Sequence, residues 1–199
     1  MLDIRSVEHK LCTGCAACIN ICPKGAISMH ENDEGFLYPE IDENKCVHCG
    51  LCYKTCPAVD YKFETPIMPD CYAVWAKREI REVSSSGGMF SVLAENILDK
   101  NGIVVGAAWD DDFHVEHIII DSKSGLEKLR SSKYVQSKIS DTLFEEIKKA
   151  LEDNRYVLFS GCPCQVAGLK KYLGKDYENL LCVDIVCHGV PSPNVLSSY

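Results

Sequence analysis

The sequence predicts two folds in succession, a small cysteine-rich α+β domain and then an α/β domain with a mixed, largely parallel sheet. Eight of the thirteen cysteines fall within residues 12–56, in two runs of the same spacing. Two prolines and no hydrophobic period mark the following stretch as a linker. From residue 71 onward, apolar runs of strand length alternate with helical periods, as in α/β domains. The predicted division of the chain is 1–62, 63–70 and 71–199.

Each cysteine run has the pattern C-x2-C-x2-C-x3-C-P, and the second run begins 34 residues after the first. Bacterial ferredoxins with two 4Fe–4S clusters have this spacing, and their fourth cysteine binds the other cluster. We therefore predict a dicluster ferredoxin-like domain, with one cluster on Cys12, Cys15, Cys18 and Cys56, and the other on Cys46, Cys49, Cys52 and Cys22. A double zinc site is the alternative, but zinc does not require three successive two-residue gaps followed by C-P in both runs.

The remainder of the first domain has little apolar material. Residues 25–29 and 36–41 are predicted as two short strands around a polar turn. Because so small a segment can bury little core, bound clusters would supply much of its folding energy. His48 lies inside the second run, and we interpret it as a solvated neighbour or a hydrogen-bond donor to a cluster rather than a ligand.

The bulk composition excludes several classes of function. The net charge of −8 leaves no basic stripe for a nucleic acid. No apolar run approaches the ~20 residues of a membrane-spanning helix. The odd cysteine count and the lack of an apolar leader at the start argue against a secreted disulfide scaffold, so we predict a reduced, cytoplasmic protein.

The α/β domain is predicted element by element from residue 71. Ser84–Ser91 leads into an amphipathic helix that is closed by Asn101-Gly102, and another helix covers about 140–153. A third helix extends to Leu173. The predicted strands are 71–76, 103–109, 115–120, 156–159 and 180–186. A helix start at Ser192-Pro193 so near the last residue leads us to expect that the domain continues beyond Tyr199.

Four stretches of the second domain could carry chemistry. Residues 84–88, a Ser-Ser-Ser-Gly-Gly loop before a helix, could bind a phosphate or be a flexible turn. Residues 130–137 could hold a flavin's phosphates and ring or form a polar surface turn. Residues 161–165, Gly-Cys-Pro-Cys-Gln, and 184–189, Asp-Ile-Val-Cys-His-Gly, follow two successive strands. If those strands are neighbours, Cys164 and Cys187 come together, although two cysteines are too few for a cluster.

The other cysteines and one carboxylate of this domain have simpler interpretations. Cys71 and Cys182 lie within apolar runs, and we interpret them as small buried hydrophobic residues. Asp184 is a possible oxygen ligand, with a structural hydrogen bond as the alternative.

Four of these segments together resemble the family of coenzyme F420 hydrogenase/dehydrogenase beta subunits, in its bacterial branch with an N-terminal dicluster ferredoxin domain. The segments are Ser86–Ser91, Ser132–Ser137, Gly161–Leu169 and Val183–Pro193. Cys162 departs from the pattern, because the family commonly has threonine there. The resemblance implies an iron–sulfur flavoprotein that passes electrons between 4Fe–4S clusters and a deazaflavin or another organic hydride carrier.

The resemblance also implies ligands and partners for this chain. Ser86, Gly87, Gly88 and the Lys133 segment would contact FAD. Cys164 and Cys187 would bind a third 4Fe–4S cluster, completed by cysteines beyond residue 199. The partner would be a ferredoxin, a hydrogenase or dehydrogenase subunit, or an organic hydride carrier. The alternative function is a non-catalytic electron carrier whose α/β domain serves only to dock on a larger complex.

Overall fold

The computed structural model describes residues 2–60 and 68–198 and confirms the predicted succession of folds. The N-terminal part, residues 2–60, contains two short α-helices, two single-turn 3-10 helices and one antiparallel hairpin. Ile27 is opposite Ile41 in this hairpin, and the amide nitrogens of Glu34 and Phe36 donate to the Asn32 side chain in its turn. The elements are α1 (Ala17–Ile21), β1 (Ile27–Glu31), β2 (Leu37–Ile41) and α2 (Leu51–Thr55).

The internal repeat of the N-terminal part is present in its backbone conformation. Gly14 and Ala16 have φ values of 67° and 62°, and α1 begins directly after them. His48 and Gly50, 34 residues later, have φ values of 51° and 73° and precede α2 in the same way. Because left-handed φ values turn the chain sharply, both cysteine runs form the same loop followed by one turn of helix.

The α/β part, residues 68–198, is built on a four-stranded sheet in the order β4-β3-β5-β6. β3 pairs antiparallel with β4 and parallel with β5, which pairs parallel with β6. The strands are β3 (Ile103–Trp109), β4 (Val115–Ile120), β5 (Val157–Gly161) and β6 (Leu180–Asp184). The helices are α3 (Arg78–Glu82), α4 (Met89–Asp99), α5 (Leu126–Leu129), α6 (Leu143–Glu152), α7 (Pro163–Leu173) and α8 (Pro193–Ser197).

The predicted strand at residues 71–76 is wrong. These residues pair with no strand in the described part of the chain, and their backbone instead meets the serine–glycine loop, where the Ala76 amide donates to the Gly87 carbonyl at 2.7 Å. Cys71 is exposed rather than buried, and Cys182 is half-buried. Helices α3 and α5 were not predicted. Most of the predicted linker, residues 63–67, lies outside the described residues.

The core lies on both faces of the sheet. On one face, α4 and α5 pack over residues of β3 and β5, among them Val104 and Leu158. On the other face, Phe159 of β5 contacts α6 and α7, and the same apolar cluster continues into the N-terminal part at Ile19 and Cys15. The two parts therefore share one core. Within the described residues, no helix is long and apolar enough to cross a membrane.

Helix α7 approaches the first cysteine loop at Gly168. A Cβ atom at this position would lie 3.1 Å from Cys15 Sγ and 3.2 Å from the Cys15 carbonyl oxygen. Such contacts are closer than ordinary packing, so glycine is the residue that lets the helix and the loop meet. Lys171 Nζ also donates to the Asp60 carbonyl at 3.0 Å, and the Asn20 amide donates to the Ser140 carbonyl at 2.9 Å.

His117 of β4 is a buried polar residue within the sheet. Its Nδ1 lies 2.7 Å from Ser137 Oγ, and its Nε2 lies 3.2 Å from the Ser160 carbonyl oxygen. Because a carbonyl can only accept, Nε2 carries the proton and Nδ1 accepts from the serine hydroxyl. Burial lowers the pKa of this imidazole from 6.5 to about 4.

We predict that Gly168→Leu destabilises the protein by about 2 kcal/mol or more, because the new side chain must displace Cys15. For a chain of this size, the loss corresponds to a melting temperature lower by about 4–8 °C in thermal unfolding followed by circular dichroism. Lys170→Leu, on an exposed position of the same helix, is the control. An unchanged melting temperature in Gly168→Leu would contradict the close packing.

We predict that the His117 ring stays neutral, with its proton on Nε2, from pH 8 down to pH 5. Because the folded pKa lies below that of the unfolded chain, this residue's contribution to stability is present above pH 6.5. This contribution is lost as the pH falls toward 4. At pH 5 the loss of free energy of unfolding is already about 2 kcal/mol.

Nitrogen NMR of the imidazole ring tests this prediction for His117. The urea-unfolded chain, where the ring titrates near 6.5, is the reference. If the His117 ring of the folded protein were half-protonated near pH 6.5, the prediction would be wrong.

Candidate iron–sulfur and cofactor site

The first candidate site is a cavity of about 170 Å³ between the two parts of the chain. Four of its lining residues are Cys12, Cys15, Cys18 and Cys56, the set predicted for one cluster. The α7 helix contributes Cys164 and Ala167 to the same wall. This cavity is therefore formed jointly by the cysteine loop, the end of α2 and the α/β part.

The second candidate site is a smaller cavity of about 20 Å³ within the N-terminal part alone. Its cysteines are Cys22, Cys46, Cys49 and Cys52, the other predicted set. Each cavity therefore receives three cysteines from one run and one from the other run. Among the described residues, no three metal-binding side chains stand close enough to share a single ion. A 4Fe–4S cube takes each thiolate on a different iron, whereas zinc takes all four ligands on one ion.

The cysteines of the first cavity lie in an apolar environment. Burial raises the pKa of Cys15 to about 12, and it raises the pKa of Cys18 and of Cys12 as well. Thiolates bind iron, so these thiols have to lose their protons when a cluster binds. The positive charge of the iron would supply the driving force for that loss.

Cys164 and Cys187 are brought to the same end of the sheet, because β5 and β6 are parallel neighbours with Gly161 opposite Asp184. Cys162 caps α7 and lies against Cys187, and burial together with this neighbour raises the pKa of Cys162 to about 12. Burial also raises the pKa of Cys164, which lies beside Thr13 of the first cysteine loop. A cluster bound by Cys164 and Cys187 stays a prediction.

Ser86, Gly87 and Gly88, the candidate flavin residues, form the turn that precedes α4. Ser86 and Gly88 have φ values of 52° and 77°, and none of the described side chains caps the helix. A Cβ atom on Gly87 would lie 2.6 Å from the Val74 carbonyl oxygen, so packing alone explains this glycine. The uncapped N-terminus of α4 fits a phosphate group, because its first N–H groups point out of the helix.

Lys133, the fourth candidate, is near this turn, since Ser85 Oγ donates to Ser131 Oγ at 3.3 Å. Its ammonium group, however, donates to the carbonyl oxygens of Arg130 and Lys128 at 2.6 and 3.0 Å. Burial lowers the pKa of Lys133. Lys133 therefore caps the end of α5. Because its ammonium group is already hydrogen-bonded, a flavin bound here would contact the residues beside Lys133 as well as its charge.

Gln136 connects three loops, and its role was not predicted. The backbone amide of Leu37 donates to Gln136 Oε1 at 2.8 Å, and the backbone amide of Gln136 donates to the Pro191 carbonyl at 3.1 Å. Its Nε2 lies 2.5 Å from the point where Gly14 would carry a Cβ atom. Gln136 thus fixes the segment after Lys133 against the first cysteine loop and against the loop that carries Cys187.

The chain matches models of known families along almost its whole length. Residues 71–143 match the N-terminal domain of the coenzyme F420 hydrogenase/dehydrogenase beta subunit, and residues 154–199 match its C-terminal domain. Two models of the 4Fe–4S dicluster domain match residues 11–59 and 38–103.

Individual relatives agree with these family matches. A subunit of the F(420)H(2) dehydrogenase of Methanosarcina mazei is 26% identical across 92% of this chain and 56% of its own length. The coenzyme F420-dependent sulfite reductase of Methanocaldococcus jannaschii is 28% identical across 83% of this chain and 26% of its own length. The chain therefore spans about half, or less, of the length of these relatives.

A solved structure has the same fold. A chain of the F420-reducing [NiFe] hydrogenase complex from Methanosarcina barkeri superposes with a TM-score of 0.50, covering 63% of this chain and 46% of its own, at 19% identity. Together, the paired cysteine runs, the mixed sheet and the two matched beta-subunit domains show that this chain belongs to the family of coenzyme F420 hydrogenase/dehydrogenase beta subunits, with a dicluster ferredoxin domain at its N-terminus.

Proposed function

We propose that this chain is an oxidoreductase subunit that passes electrons between two 4Fe–4S clusters and a flavin that exchanges hydride with coenzyme F420 or another organic carrier. The observation that carries the proposal is the first cavity, whose wall combines Cys12, Cys15, Cys18 and Cys56 with Cys164 of α7. A cluster held there would contact the α/β part directly. The family relationship supports the same function, because the relatives are named for reactions of coenzyme F420.

The proposed clusters have residues that fit them. Cys12, Cys15, Cys18 and Cys56 would hold one cube, and Cys22, Cys46, Cys49 and Cys52 would hold the other. Each cube, when bound, supplies storage for single electrons. The chain's own contribution is to place both cubes in one short segment and to exclude water from the first, where Cys15 and Cys18 are buried.

A flavin is proposed because hydride carriers and iron–sulfur clusters exchange different numbers of electrons. A bound flavin supplies the conversion between a two-electron hydride and single electrons. The turn at Ser86–Gly88 would hold its phosphate groups at the N-terminus of α4. Trp75 and Tyr134 are exposed aromatic side chains on the two segments that meet at this turn, and they could cover its ring.

A second candidate function is electron transfer without a flavin, as a docking subunit of a larger hydrogenase or dehydrogenase complex. One observation favours it, namely that the Lys133 ammonium group is held by two backbone carbonyls rather than free for a phosphate. Bound flavin distinguishes the two functions. Neither function requires the predicted third cluster. We infer a cytoplasmic location, because cysteines that bind clusters must remain reduced.

We predict that the complete protein, purified without oxygen, carries about eight irons for its two cubes and one flavin. Ser86→Glu should lower the flavin content about tenfold or more while the iron content stays the same. The reason is that an added carboxylate at the start of α4 repels the flavin's phosphates. Iron and sulfide assays, together with flavin fluorescence after heat release, provide the measurement.

The control for this variant is Ser124→Glu, which adds the same charge at an exposed position away from the turn. About twelve irons would support the additional cluster at Cys164 and Cys187. Iron without flavin in the wild-type protein would favour the docking role. Equal loss of flavin in both variants would remove the turn from the proposed site.

A further inference from the structure

Two cysteines from different loops lie in contact at the end of the sheet, outside both cysteine cavities. Gly161 is opposite Asp184 in the parallel pair of β5 and β6, and the Ile185 backbone amide extends this ladder by donating to the Gly161 carbonyl at 3.0 Å. Cys162 and Cys187 follow at these strand ends, and a hydrogen bond joins their side chains. The register of the two strands therefore places the two thiols together.

Cys164, the other cysteine of the loop after β5, has different contacts. It lines the first cavity, and its sulfur accepts a hydrogen bond from the Thr13 hydroxyl. Cys187 is near Cys164 as well, but its hydrogen-bond partner is Cys162. In the described part of the chain, no three metal-binding side chains stand close enough to share an ion. Two thiols in contact without a third ligand can still join to each other as a disulfide.

The two cysteines of this pair differ in exposure. All of residues 184–189 are exposed, Cys187 among them, and the Gly189 backbone amide donates to Cys187 Sγ at 3.4 Å. Cys162 is half-buried, and its backbone amide donates to Gln165 Oε1 at 2.9 Å in the first turn of α7. An exposed thiol next to a less exposed one is the arrangement in which the first reacts with an oxidant and the second resolves the product.

We propose that Cys162 and Cys187 form a reversible disulfide in response to small-molecule disulfides such as oxidised glutathione, with Cys187 reacting first and Cys162 resolving. The Cys187 thiolate attacks one sulfur of the small disulfide, whose S–S bond breaks and releases one thiol. Cys162 then attacks the Cys187 sulfur of this mixed disulfide, and the second small thiol leaves. The two protein sulfurs lose two electrons, the small disulfide gains them, and the two protons of the protein thiols end on the released thiols.

The disulfide would change what this end of the sheet can bind. Clusters bind thiolates, so neither sulfur of the oxidised pair could serve as a ligand. Oxidation therefore competes with the cluster predicted at Cys164 and Cys187. It also ties the start of α7 to the loop whose Pro191 carbonyl accepts from the backbone amide of Gln136. Neither the two proposed cubes nor the proposed flavin is needed for this reaction.

The complete protein, purified without oxygen, is incubated with oxidised glutathione, its remaining thiols are alkylated, and its peptides are identified by mass spectrometry. We expect a peptide pair joined through Cys162 and Cys187. In Cys162→Thr, Cys187 should instead keep its glutathione adduct, at a level about tenfold or more above that of the wild type. The reason is that a neighbouring thiol acts at an effective concentration of about millimolar or more. Threonine also forms helix caps, so the variant keeps the start of α7.

The matched control is Cys182→Thr, which changes a half-buried cysteine of β6 outside the pair and should leave the linked peptide unchanged. Cys71, an exposed cysteine, should carry glutathione in all three proteins and so reports that the oxidant is active. The wild-type linked peptide decides the proposal by itself if Cys162→Thr fails to fold.

Three results would overturn the proposal. They are equal glutathione adducts on Cys187 in the wild type and in Cys162→Thr, a link from Cys187 to Cys164, and a Cys187 that does not react while Cys71 does. Iron and flavin contents of the untreated protein are measured in parallel, and they test the proposed function separately.

Discussion

The close packing of α7 against the first cysteine loop is the contact on which the rest of the structure depends. Gly168 leaves no side chain between the helix and Cys15, so the loop and the helix come within van der Waals distance. The apolar cluster that spans the sheet, α6, α7 and the N-terminal part forms around this approach. Without it, the first cavity would lose one wall and the two cysteine runs would form a separate small domain.

This arrangement gives the two cysteine sites different physical environments. The first contains the buried Cys15 and Cys18, whose pKa burial raises, while the second borders water through Cys49 although burial raises the pKa of its Cys52 as well. Burial and hydrogen bonding to sulfur are the main influences of a protein on the potential of a cluster. The fold therefore combines a cysteine site that is exposed at Cys49 with a second cysteine site that lies against the α/β part.

Much of the fold was predicted from the sequence wherever short-range rules apply. The cysteine spacing places six cysteines within two short loops, and the bounds of β3 and β4 matched because each is an apolar run closed by turn residues. The meeting of Cys164 and Cys187 followed from one general property of parallel strands, whose carboxyl ends share an edge.

Long-range contacts account for what was missed. The segment at residues 71–76 has the composition of a strand, but its hydrogen-bond partner is the Gly87 loop and not the sheet. Lys133 looked like a free cation because nothing in its neighbourhood shows that it turns back to cap α5. Gln136 and His117 form hydrogen bonds with residues that are distant in the sequence, and no rule of local spacing predicts such pairs.

The two cysteine runs also repeat one backbone conformation with different residues. Each contains two residues with left-handed backbone angles at the same offsets, but glycine occupies the first offset in one run and the second offset in the other, at Gly14 and Gly50. Their counterparts, His48 and Ala16, adopt the same angles without glycine's freedom. If one ancestral half-domain was duplicated, the path of its chain has been inherited more faithfully than the residues that once made that path easy.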